Sequence, residues 1–203
     1  MKLWHKTSID ISDCYLPGLD MDAYLTSKET MDKHNTFFVE GAGGIWNIPA
    51  EEIFNTKFIQ EMRQLVGSPI ATVNCFMRWP NYQHASAHHD CYEYDGEVIK
   101  HGGALNWCWE PDNAEMVWYK LPEGAVPFTE KRRNIEMNVS VDIDDTLEVL
   151  DKHVIGQTPT LVNTAEFHLV DMNDRERICL RCRVTWVVTW GDHMNTFRNV
   201  LVN

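Results

Sequence analysis

The sequence has no apolar run near the roughly 18 residues that a membrane-crossing helix requires, and its start, MKLWHKTSIDISDC, lacks the apolar stretch of a secretory signal. A soluble, cytoplasmic protein is the expectation. Basic residues are scarce: 18 Lys and Arg stand against 30 Asp and Glu, a formal net charge of -12. That balance opposes binding to phosphate backbones and anionic surfaces, so nucleic acid and membranes are poor partners. Six cysteines, Cys14, Cys75, Cys91, Cys108, Cys179 and Cys182, are dispersed rather than framed as in a disulfide scaffold, and reduced thiols are expected. Internal repeats, low-complexity tracts and linkers are also missing. Gly41-Ala42-Gly43-Gly44 has neither the spacing nor the Lys-Ser/Thr of a phosphate-binding loop, and the acidic segment from Asp142 to Asp151 lacks the spacing and central Gly of an EF-hand.

What the chain does have is a globular composition, 44% hydrophobic and 24% charged, in 203 residues that fit one large domain. Asp20 and Asp22 can cap a short helix running towards His34, TFFVE (Thr36 to Glu40) has the bulk of a strand, and Gly41 to Gly44 form a turn-rich joint. Phe58, Ile59, Met62, Leu65 and Val66 recur at helical spacing, Pro49 suits a helical first turn, and Gly67 followed by Pro69 is a stop signal. From Ile70 the texture changes to short strands: ATVNCFMRW, ALNWCW, EMVWY, IEMNVSV, TLEVL, TLVN, EFHLV and RICLRCRVTWVVTW. Turns are expected at Asp95-Gly96, Pro122-Glu123-Gly124 and Asn173-Asp174. The pattern predicts a mainly β (α+β) single domain, a sandwich, barrel or jelly roll. Residues 1–69 would form a mixed α/β part whose helices buttress one sheet, 70–190 the core, and 191–203 a C-terminal extension.

His88-His89-Asp90 is the first triplet with chemical content. On an extended segment side chains alternate faces, so His88 and Asp90 project together while His89 points away. An imidazole nitrogen and a carboxylate oxygen on one face suit a divalent metal of intermediate softness. A third ligand from a distant strand would complete a facial triad with open coordination positions. An isolated HxD is more often a polar surface segment, because so short a motif recurs by accident. The balance shifts further along the chain, where His168 closes a strand, a polar turn follows, and Arg177 opens the next strand.

The order HxD, long gap, His, Arg resembles that of the iron(II)/2-oxoglutarate-dependent oxygenases. Arg78-Trp79-Pro80-Asn81-Tyr82 is similar to the strand and turn before the HxD in prolyl- and aspartyl/asparaginyl-hydroxylase-like members, and ALNW and MVWY resemble the strands that follow. The resemblance covers about Ile70 to Trp190. It implies a double-stranded β-helix (jelly roll) in which His88, Asp90 and His168 hold Fe(II) as the catalytic centre and Arg177 pairs with the remote carboxylate of 2-oxoglutarate. The implied activity couples oxidative decarboxylation of 2-oxoglutarate by dioxygen to hydroxylation of a small molecule or a protein side chain. Asp90 at the carboxylate position disfavours a halogenase-like variant, in which a small residue admits halide. A DNA or RNA demethylase would be expected to show a basic groove, and the sequence offers only Lys131-Arg132-Arg133.

Arginine suits the far end of a dicarboxylate because its planar fork makes two charge-assisted hydrogen bonds in fixed orientation. Cys179 stands where relatives often have Ser, and Arg181 and Arg183 share the face of Arg177 on a regular strand, so any of the three can take the carboxylate. Arg177 is favoured as the nearest to the turn, and Arg183 competes with it. Asn106, with Trp107 opposite, is a candidate hydrogen-bonding residue for 2-oxoglutarate or substrate.

Other features have duller readings. Cys179 and Cys182 match CxxC, but positions three apart on a strand face opposite sides, so their sulfurs cannot converge on zinc. His84, His89, His101 and His153 fit surface or supporting roles better than a second metal. Trp107, Trp109, Trp118, Trp186 and Trp190 could line a pocket, though tryptophan on strands first of all fills a core. Two rival functions use the same features: a cupin-like metal-dependent isomerase or hydrolase without 2-oxoglutarate, and a non-catalytic jelly-roll binding protein.

Overall fold

The computed structural model describes residues 2–39, 43–67, 72–78, 86–94, 97–109, 115–132, 136–142, 147–171, 177–182 and 189–202. Strands dominate, and every strand pairing among the described residues is antiparallel. Numbered along the chain, the first sheet has the order β1 (Trp4–Lys6), β12 (Thr160–Val162), β7 (Ala104–Cys108), β14 (Arg177–Cys182), β4 (Thr72–Arg78), β3 (Gly43–Pro49), β2 (Asn35–Val39). The second has the order β11 (Glu148–Val154), β8 (Glu115–Lys120), β13 (Phe167–Asp171), β5 (Ser86–Tyr94), β10 (Glu136–Asp142), β9 (Phe128–Arg132), with β6 (Glu97–Lys100) also paired to β5.

Period-two alternation explains how β7, β12 and β14 of the first sheet each serve two cores. On β7, Leu105 and Trp107 join Leu161, Leu180 and Cys182 in a cluster with Phe54, Phe58, Met62 and Phe197. On the other face Ala104, Cys108, Val162 and Cys179 pack between the sheets against Met116, Trp118 and Ile155. Fully burying a large apolar side chain contributes ~1.5–3 kcal/mol, so these two clusters supply much of the drive to fold.

The helix expected around Phe58 is α3 (Thr56–Val66). Asn55 caps it by accepting the Phe58 N–H at 2.9 Å, and Gly67 ends it at φ 72, a left-handed conformation that glycine adopts without a Cβ clash. Pro49 ends β3 instead of opening this helix, and Gly43 and Gly44 belong to β3 as well. The single helix expected from Asp20 towards His34 is two, α1 (Met21–Thr26) and α2 (Lys28–His34). The break falls at Ser27, whose hydroxyl accepts the Thr30 N–H at 3.0 Å and caps the second helix, a local bond that competes with helix continuation. Glu52 ties both helices to the 3-10 turn Ala50–Glu52, accepting from Tyr24 Oη at 2.8 Å and Lys33 Nζ at 2.9 Å. The lysine hydrogen bond, more than any other partner, holds the Glu52 carboxyl down at about 2.

The C-terminal stretch differs from expectation. Trp190, read as the end of a strand, opens α4 (Trp190–Phe197), capped by Thr189, whose hydroxyl accepts the Asp192 N–H at 3.1 Å. Trp190, Met194 and Phe197 all lie in the helix-side cluster, and their spacing of four and three is helical, so packing of these three side chains favours a helix from Trp190 onward. Leu201 then bridges to Thr7. The turn at Pro122-Glu123-Gly124 is present, with the Ala125 N–H on the Pro122 carbonyl at 3.1 Å and Gly124 at φ 85. Tyr94 lies opposite Glu97 across the β5–β6 hairpin; Asp95-Gly96 and Asn173-Asp174 lie outside the described residues. No helix among the described residues is long and apolar enough to cross a membrane.

One side of the sandwich is closed by an aromatic clasp between β1 and β11. Trp4 stacks on His153 with centroids 3.4 Å apart, Lys2 Nζ lies 4.0 Å from the Trp4 ring, and the Leu3 N–H donates to Asp151 at 3.1 Å. Burial, assisted by Lys6 and Lys2, pushes the His153 imidazole down to about 4. The unfolded chain therefore takes up a proton near pH 6.5 that folded His153 refuses, and the stability it contributes is lost as pH falls from about 6.5 towards 4. Urea midpoints should fall less between pH 7 and pH 5 in His153→Phe than in the parent; equal falls in both would contradict this.

Candidate metal centre

β5 and β13 are neighbours in the second sheet, and their register sets His88 directly opposite His168. The two imidazoles meet with ring centroids 4.8 Å apart. Alternation along β5 brings Asp90 to the same side, where one carboxylate oxygen, Oδ1, lies 3.9 Å from His88 Nε2. The ligand atoms of His88, Asp90 and His168 all lie within 4.8 Å of one another, forming a group that can hold a metal ion. Asp90 and His168 are buried, and His88 is half-buried.

The backbone around the carboxylate is fixed on both sides. The Asp90 N–H donates to the Thr164 carbonyl at 2.9 Å, and the Asp90 carbonyl accepts the His101 N–H at 2.9 Å. The Thr164 hydroxyl in turn donates to the His101 carbonyl at 3.0 Å. His101, expected in a supporting role, acts here through its backbone.

His168 is prepared as a ligand in two ways. Its Nδ1 lies 2.8 Å from the Glu166 carbonyl, which can only accept, so Nδ1 carries the proton and Nε2 keeps its lone pair. Burial pushes the imidazole down to about 4, so it is neutral at physiological pH. Two imidazoles and one carboxylate suit a divalent first-row metal, with positions left open. Side-chain rotation would draw the three donors, which lie within 4.8 Å of one another, onto one ion.

The opposite sheet contributes Arg181. Its Nη2 donates to Asp90 Oδ2, forming a buried ion pair between β14 and β5. Arg181 is one of the three arginines expected to take a carboxylate, and the carboxylate it meets is the protein's own. Alternation placed Arg181 with Cys179, but nothing local could disclose the contact with Asp90. Arg177 opens β14 opposite Arg78, with its side chain outside the description, and Arg183 lies outside the described residues. Asn106 lies opposite Arg181 on β7; its Oδ1 is buried without a hydrogen-bond partner among the described residues. Trp107 goes to the helix side and donates to Tyr15 Oη at 3.0 Å.

The remaining candidates fall elsewhere. His89 packs edge-on against Phe167 with centroids 4.9 Å apart, and burial pushes it down to about 4. Cys179 and Cys182 are buried thiols in different clusters. Trp118 fills the space between the sheets, Trp109 donates to Asp22, and His84 and Trp186 lie outside the described residues. Comparison with protein-family models, curated proteins and solved structures returns no match.

Proposed function

We propose that this protein is an iron(II)- and 2-oxoglutarate-dependent oxygenase that hydroxylates a small molecule or a protein side chain. The observation that carries the reading is the convergence of His88, Asp90 and His168, two imidazoles and a carboxylate from adjacent strands. The strand order supports it. Along the chain β4, β7, β12 and β14 lie in one sheet and β5, β8, β11 and β13 in the other, the interleaving expected of a double-stranded β-helix.

Iron(II) held by this triad would supply three open positions, enough for a chelating keto acid and dioxygen. The protein's own part is to bind and orient. His168 offers a neutral nitrogen fixed by Glu166, Asp90 a charge fixed between two backbone hydrogen bonds, and His88 a less buried nitrogen beside them. Asn106 Oδ1, buried in the same strand register as Arg181, is an acceptor available to a bound hydroxyl or amide. With Arg181 engaged by Asp90, the far carboxylate of the keto acid falls to Arg177 or Arg183.

The test is anaerobic addition of iron(II) and 2-oxoglutarate, followed by admission of air. A weak visible charge-transfer band and succinate release are expected. Arg177→Ala should weaken 2-oxoglutarate about tenfold or more with metal affinity unchanged, since a lost charge-assisted pair costs roughly 1.5–3 kcal/mol. If Arg183→Ala does so instead, Arg183 is the anchor. Iron binding without succinate would point to a cupin-like isomerase or hydrolase, and failure to bind iron to a non-catalytic protein.

A further inference from the structure

We infer that Arg181 is a positioning residue that restricts Asp90 to one ligand oxygen and thereby keeps three coordination positions open at the metal. The inference rests on the metal-centre reading above and deepens it. Asp90 uses its two oxygens differently: Oδ1 faces His88 Nε2 at 3.9 Å, on the side of the imidazole pair, while Oδ2 accepts from Arg181 Nη2. The guanidinium comes from the other sheet, across the interior, and is buried. It is held in β14, where Arg181 lies between Asn74 of β4 and Asn106 of β7. A central strand with neighbours on both sides cannot shift without breaking two ladders, so the donor is fixed by the fold and not by its own side-chain torsions alone.

The consequence follows from geometry. A carboxylate with both oxygens free can chelate a divalent ion, whereas one whose second oxygen holds an arginine offers a single oxygen. With two histidines, the first case fills four positions of an octahedron and the second fills three. Three vacancies are what a chelating keto acid and a second small co-substrate together require; two are not enough. Partial neutralisation of Asp90 by the cation also lowers the charge that the site presents to metals, so Arg181 would trade some affinity for vacancy.

Manganese(II) alone is the probe, because its effect on water-proton relaxation scales with the number of exchangeable waters it carries. Bound to the unmodified protein it should show three such waters. In Arg181→Met, of similar length but without the donors, the count should fall to two and the relaxivity of bound manganese drop by about one-third, while Arg181→Lys, which keeps charge and a donor, should restore it. Two waters in the unmodified protein, or equal relaxivity in the Met variant, would overturn the inference while leaving the metal site standing. If the Met variant does not fold, the count in the unmodified protein decides. If the unmodified protein binds no manganese, the metal-centre reading itself fails.

Discussion

Asp90→Ala and His168→Ala should each lower the affinity for manganese(II) or iron(II) by at least about 100-fold, since even a residue supporting a ligand typically contributes 10–100-fold and these two are ligands themselves. Titration against a chelating dye measures the loss. The variants should part company in stability. Removing Asp90 takes the opposite charge from a buried ion pair with Arg181, which costs about 3–5 kcal/mol, whereas removing the neutral His168 imidazole leaves a cavity and an unfilled Glu166 carbonyl. Asp90→Ala should therefore unfold at clearly lower urea than His168→Ala. Wild-type metal affinity in His168→Ala would remove His168 from the centre.

Trp118→Ala should destabilise the fold by ~3–5 kcal/mol without touching the ligands. Trp118 is fully buried between the sheets, stands opposite His168 in the β8–β13 register, and donates its indole N–H to the Asn163 carbonyl at 2.7 Å. Trp118→Phe keeps most of the ring and strands that carbonyl, so it should lose only about 1–3 kcal/mol. Chemical denaturation of the metal-free protein separates the two contributions. Equal losses in both variants would mean that the hydrogen bond, and not the packed ring, carries the stability.

Much of the local structure could be read from residue order because it follows from local sterics. Gly67 stops α3 as its sequence position implies, and Phe58, Ile59, Met62 and Leu65 share one face, while the start is set by Asn55 and not by Pro49. Structure departs from local preference where that preference competes with capping or packing. Ser27 broke one expected helix into two by capping the second. Trp190, at the end of a β-prone run, turned into a helix because Met194 and Phe197 reach the same apolar cluster from a helical spacing.

At the site the division is similar. Alternation is a property of the extended backbone: along β5 it is enough to pair His88 with Asp90 and to send His89 to Phe167, and along β14 it separates Cys179 from Cys182. The partners that complete the site are distant in sequence, and no local rule selects them. His168 meets His88 because β13 pairs with β5 in one register out of many, and Arg181 meets Asp90 because the first sheet stacks on the second with those two strands face to face. The residue order settled which side chains point the same way, since a strand's alternation is built into each residue's backbone. Only the tertiary structure settled which strands meet, because register and sheet stacking are chosen by the packing of the whole core.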